Sequence, residues 1–163
     1  MADDTRISSE PRPRQRIPAL VIRTIWMTHR ALYRVSGGRV GLRTATSSRW
    51  GMLRLRTIGR RSGQERIAIV GFIEDGPNLV TPAMNGWLEP EPAWWLNLQA
   101  NPNATVELPD GTTRQVMARR AAGEERRRLW QALVDLGTSA FTEASAEIRS
   151  VETAIVVFEP RMP

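Results

Sequence analysis

The chain has 163 residues, 41% hydrophobic and 25% charged, enough for one domain with an ordinary hydrophobic core. It contains no cysteine, which excludes disulfides, thiolate metal sites and cysteine nucleophiles. The net charge is +6, and all 23 basic residues are arginine, whose planar fork grips phosphate and carboxylate bidentately where lysine acts as a point charge.

Residues 1–16 (MADDTRISSEPRPRQR) are polar, proline-containing and without apolar periodicity, so a disordered tail is expected. One domain is expected over residues 17–163, opening with a helix over 17–36. Leu20, Thr24, Met27, Ala31 and Val35 recur near one face of that helix, with Arg16, Arg23, Arg30 and Arg34 on another, and Gly37-Gly38 stops it. Its apolar side is expected to pack on the domain, with peripheral contact at the inner membrane face as the alternative. The apolar run ALVIRTIWM carries Arg23 and is too short to span a bilayer, so no secretory signal is read and a cytoplasmic location is expected.

A strand is predicted over Trp50 to Ile58, where Leu53 and Leu55 alternate with Arg54 and Arg56. The turn Gly59 to Gly63 follows, then a strand to Ile73, the turn EDGP and a short strand over Asn78 to Thr81. EPEPAWWLNLQANP reads as a short helix with Pro92 in its first turn, ended by Asn101-Pro102. A hairpin comes next, ATVEL and TTRQVMARRA about the turn PDG. In the helix GEERRRLWQALVDLG, Leu129, Leu133 and Leu136 form the buried stripe and Gly137 the cap. A small helix around Thr142 to Arg149 leads into a last strand, TAIVVFE. About six mostly antiparallel strands with three or four peripheral helices define an α+β domain, with barrel closure as the way to remove sheet edges.

Self-sufficient catalytic sets are missing. His29 is the only histidine, and no phosphate-binding loop of the GxxxxGK[ST] or GxGxxG type occurs. If the chain is an enzyme, a cofactor carries the chemistry. The turn TIGRRSGQER invites an anion: glycines at both ends let backbone N–H groups point into a concavity, with Arg60, Arg61, Arg66 and Ser62 adding donors. On these residues alone a solvated hairpin tip is an equal alternative. Downstream, PAMNGW breaks a strand with small and amide residues, and Trp94, Asn97 and Leu98 share a helix face.

The order of these motifs resembles the deazaflavin-dependent nitroreductases, also called deazaflavin-dependent quinone reductases. GRRSGQxR, a DG turn, a small-residue loop, PAWWLNLxANPxATVEL and GEERxRLW fall in that family's sequence, as does THRALYRVSGGRVG upstream, covering roughly residues 28–160. The resemblance implies a split β-barrel related to the barrels that bind flavin mononucleotide (FMN), using the 8-hydroxy-5-deazaflavin coenzyme F-420. It places the cofactor's phosphate and anionic tail on Arg60, Arg61, Ser62, Gly63 and Arg66. The deazaflavin ring falls to Ala83, Met84, Asn85 and Gly86, and the following motif to Trp94 and Asn97. Methionine stands at 84 where relatives often carry serine or threonine. The implied reaction is hydride transfer to a quinone, nitro-aromatic or activated enone, a small hydrophobic acceptor. Two alternatives keep the barrel: a non-catalytic module holding a fatty acid, haem or other hydrophobic ligand, and an ordinary FMN protein. Nucleic-acid binding is disfavoured because the arginines are scattered over several elements instead of one stripe.

Overall fold

A computed structural model of the chain describes residues 42–84, 91–137 and 152–161. The segments expected as a tail over 1–16, a helix over 17–36 and a small helix around Thr142 lie outside them. Within them are six strands and two helices. The strands are β1 (Gly51–Ile58), β2 (Glu65–Asp75), β3 (Asn78–Pro82), β4 (Asn103–Glu107), β5 (Thr113–Arg120) and β6 (Ile155–Pro160); the helices are α1 (Ala93–Ala100), between β3 and β4, and α2 (Gly123–Leu136), between β5 and β6.

The strands close a barrel in the order β1-β2-β3-β6-β5-β4, and every neighbouring pair is antiparallel. Closure leaves no sheet edge to be covered, as the alternating strands of the sequence required. The period of two in β1 decides its two faces. Leu53 and Leu55 are fully buried inside the barrel, while Arg54 and Arg56 face outward and pair with Glu107 of β4 at 3.0 and 3.6 Å.

Two apolar clusters organise the molecule. One fills the barrel, with Leu53, Leu55, Phe72, Leu79, Val106 and Phe158 among its members, and α1 adds Trp94, Trp95 and Leu98. The other lies outside the wall, where Leu129 and Leu133 of α2 cover Ile73, Val80, Ile155 and Val157. β6 therefore has both faces buried, and its unbroken apolar run follows from that position. The indole N–H of Trp50, just ahead of β1, donates to the Leu133 carbonyl at 3.1 Å and ties α2 to the barrel.

Gly137 does end α2, but its backbone is extended (φ −77°, ψ 163°) instead of left-handed, and its N–H bonds the carbonyl of Val134. Leu136 is only half-buried at the margin of the second cluster. No helix among the described residues is long and apolar enough to cross a membrane.

Candidate functional site

The β1–β2 hairpin puts Thr57 opposite Arg66 and Ile58 opposite Glu65, leaving residues 59–64 as the turn. Gly59 and Gly63 are needed there for different reasons. Gly63 has φ +65°, a conformation other L-residues adopt only with strain. A Cβ on Gly59 would stand 2.9 Å from Ser62 Oγ and 3.1 Å from the Gln64 carbonyl, so a larger residue there would make the turn shift.

Closure uses the turn's own backbone donors. The N–H groups of Ser62 and Gly63 both donate to the Gly59 carbonyl, at 3.2 and 2.8 Å, and Gly59 N–H donates to Gln64 O at 2.8 Å. The Arg60 N–H donates to Asn97 Oδ1 at 3.1 Å. The Gln64 N–H donates to Ser62 Oγ at 3.4 Å, so five of the six N–H groups of the turn are committed inside the protein and the expected concavity of free N–H groups is not what it offers. What remains for an anion is the side chains.

Those side chains are sorted by the register. Glu65, the first residue of β2, sits on the outer face and pairs with Arg56 at 3.3 Å, which ties up the carboxylate next to the turn. Arg66 shares the inner face with Thr57 at the barrel rim, and its Nη2 donates to Ser62 Oγ at 3.1 Å. The exposed Arg60, Arg61 and Arg66 have no carboxylate partner among the described residues, whereas Arg54, Arg56, Arg119, Arg120 and Arg128 each hold one. Three guanidiniums without a carboxylate partner among the described residues, two on the turn and one at the start of β2, are a concentrated positive field on a rigid support.

Helix α1 lies beneath this turn. Pro92 caps it in an extended conformation and its carbonyl accepts the N–H groups of Trp95 and Leu96 at 3.0 and 3.2 Å. Trp94 and Trp95 meet edge to face, ring centres 6.5 Å apart, and both are buried. The Trp95 Nε1–H is buried without an acceptor among the described residues. Asn97 is 5% exposed and donates from Nδ2 to Thr57 Oγ1 at 3.2 Å while accepting from Arg60.

The structure brings Arg60, Arg61, Ser62, Gly63, Arg66 and Asn97 together, with Trp94 packed in the barrel core below. Ala83 follows β3, is almost fully buried in that core and donates its N–H to Ala154 O at 2.8 Å. Met84 is half-buried and packs against the second cluster, on the α2 side. Asn85 and Gly86 lie outside the described residues. Thr57 was not anticipated as part of the site. Its signal was present, since a threonine stands at the last inward position of β1 where the alternation of Leu53 and Leu55 calls for an apolar residue. Among the described residues no group of histidine, aspartate and glutamate is arranged to hold a metal ion.

A six-stranded antiparallel barrel with a helix packed under a basic turn defines the split-barrel class. Residues 26–160 match the model of the F420H(2)-dependent quinone reductase family, and the chain belongs to that family. It is 31% identical over 80 residues, 49% of its length, to an F420H(2)-dependent quinone reductase of Mycobacterium tuberculosis strain H37Rv. The aligned stretch spans 52% of that relative, about half its length. Among solved structures, an F420-H2 dependent reductase (FDR-A) superposes with a TM-score of 0.59 at 24% identity, over 66% of this chain and 93% of the other. A structure described as a domain-swapped dimer superposes with a TM-score of 0.60 at 22% identity, over 84% and 99%. Both likenesses carry the fold.

Proposed function

We propose that this chain is a deazaflavin-dependent oxidoreductase that delivers a hydride from reduced coenzyme F-420 to a quinone, with nitro-aromatics and activated enones as further acceptors. The observation that carries the reading is the hairpin itself: three guanidiniums with no carboxylate partner among the described residues, held from beneath by a buried asparagine. A cofactor with a phosphate and an anionic tail fits that wall by charge and by donor type. Arg60, Arg61 and Arg66 would hold the phosphate, with Ser62 orienting Arg66 and Gly63 letting the turn close. Ala83 to Gly86 would border the ring. When bound, the cofactor supplies the hydride; the chain's part is to hold ring and acceptor face to face and keep water away. A quinone needs two electrons and two protons, so with one hydride delivered the remaining proton comes from solvent.

Titration of the purified chain with F-420, followed by anaerobic mixing of its reduced form with a quinone panel, tests the reading. Saturable binding and stoichiometric conversion of a quinone to its hydroquinone are expected. Absence of binding at high micromolar cofactor would contradict it.

A further inference from the structure

Asn97 is the least expected residue in this arrangement. Asparagine is a weak helix former, yet it stands in the middle of the eight-residue α1, on the face whose other buried members, Trp94, Trp95 and Leu98, join the barrel core. Its amide orientation follows from chemistry. The Arg60 N–H can only donate, so the atom facing it at 3.1 Å is the oxygen. The nitrogen therefore faces Thr57, whose Oγ1 accepts at 3.2 Å. One buried side chain spans the last inward residue of β1 and the first arginine of the turn, which the backbone joins through Ile58 and Gly59.

We propose that Asn97 is a positioning residue for the arginine turn, acting through the Arg60 backbone, and is not itself a cofactor ligand. Both ends of its amide are in use, and the side chain is 5% exposed. Thr57 belongs to the same unit, because its hydroxyl gives the Asn97 nitrogen an acceptor and so fixes which way the oxygen points. The unit sets the direction in which Arg60 and Arg61 leave the barrel rim. Pre-setting that direction in the free protein lowers the ordering cost of gripping an anion. The inference rests on the proposed cofactor site for its purpose, but the geometry it invokes is testable without cofactor.

The test uses the full chain and two readouts. Amide hydrogen exchange in the absence of ligand reports the Arg60 N–H, and F-420 titration reports the grip. Asn97→Leu should raise exchange at Arg60 by about tenfold or more, the loss expected for one buried hydrogen bond, while Asn97→Asp, which keeps an acceptor oxygen, should restore protection. Thr57→Val, which removes only the far anchor and keeps the side-chain volume, should raise the same exchange less. For binding, Asn97→Leu should cost about tenfold in the wild-type background and little once Arg60 and Arg61 are both alanine, because it acts through them. Unchanged Arg60 exchange in Asn97→Leu would overturn the proposal, as would binding losses that simply add, the mark of an independent cofactor contact. If Asn97→Leu fails to fold, Thr57→Val and Asn97→Asp decide on exchange. If the wild-type chain binds no F-420, the proposed function fails and the exchange data still judge the role of Asn97.

Discussion

Arg66 reaches back over four residues of chain so that its Nη2 donates to Ser62 Oγ at 3.1 Å, closing the arginine turn on its inner side. Arg66 lies opposite Thr57 at the barrel rim, so this bond holds a guanidinium over the turn instead of letting it extend into solvent. Ser62→Ala releases it. Affinity for F-420 is expected to fall about two- to tenfold, the worth of one ordinary hydrogen bond, with an unchanged melting temperature. A titration showing wild-type affinity would mean that Arg66 is placed by something else.

The two turn glycines should separate stability from binding. Gly63→Ala meets no atom within 4 Å but must hold φ +65°, so it should cost about 1–2 kcal/mol of stability and leave affinity intact. Gly59→Ala drives a methyl to 2.9 Å from Ser62 Oγ and 3.3 Å from Arg66 Cγ, so the turn must shift and affinity should drop. Urea denaturation beside F-420 titration would read both; equal effects on affinity would refute the distinction.

Acid should loosen α2 before it affects the barrel. Hydrogen bonds from Arg119 hold the Glu125 carboxyl below its ordinary value of 4.5, and the hydrogen bond from Arg128 holds Asp75 below 3.8. Both carboxylates have folded-state values depressed below the unfolded ones. Their stabilisation is therefore fully present above the ordinary carboxylate range and is lost as pH falls through the folded values. Arg119 also pairs with Glu159 at 2.7 Å, and its own value is raised, chiefly by Glu125. These groups are partly exposed, so the effect should be modest and salt-sensitive. Glu125→Gln should flatten the stability curve below pH 4.5 relative to wild type; parallel curves would contradict this assignment.

Trp50→Phe removes the indole donor to Leu133 O, and a loss of at least about 1 kcal/mol is expected in urea unfolding. Leu133→Ala, which empties a fully buried position under α2, should cost about 2–5 kcal/mol. Neither side chain lies near the arginine turn, so F-420 affinity should survive in both where the protein remains folded.

What could be read from the sequence was local. The alternation of Leu53 and Leu55 with Arg54 and Arg56 gave the inside and outside of β1, and the PDG turn gave the β4–β5 hairpin, because both signals need only neighbouring residues. Barrel closure followed from strand count and edge physics. The arrangement around Asn97 was hidden for the opposite reason: its partners, Arg60 and Thr57, lie 37 and 40 residues away in the chain. Face periodicity put Asn97 with Trp94 and Leu98, and α1 does bury that face together with Trp95 while exposing Ala93, Gln99 and Ala100, but a shared face does not say what the amide bonds. The backbone donors of the turn were hidden in the sequence too, since a glycine-flanked loop can either open its N–H groups to an anion or fold them onto the Gly59 carbonyl.

The central claim is that the unpaired arginines of the turn grip the cofactor's anionic end. F-420 titration of the wild-type chain and of Arg60→Ala/Arg61→Ala, each at low and high salt, tests it most directly. Each charge-assisted contact is worth about 1.5–3 kcal/mol, so the double variant should bind at least about a hundredfold more weakly. Its affinity should also depend less steeply on salt than that of the wild type. Equal affinity and equal salt dependence in the two proteins would contradict the claim.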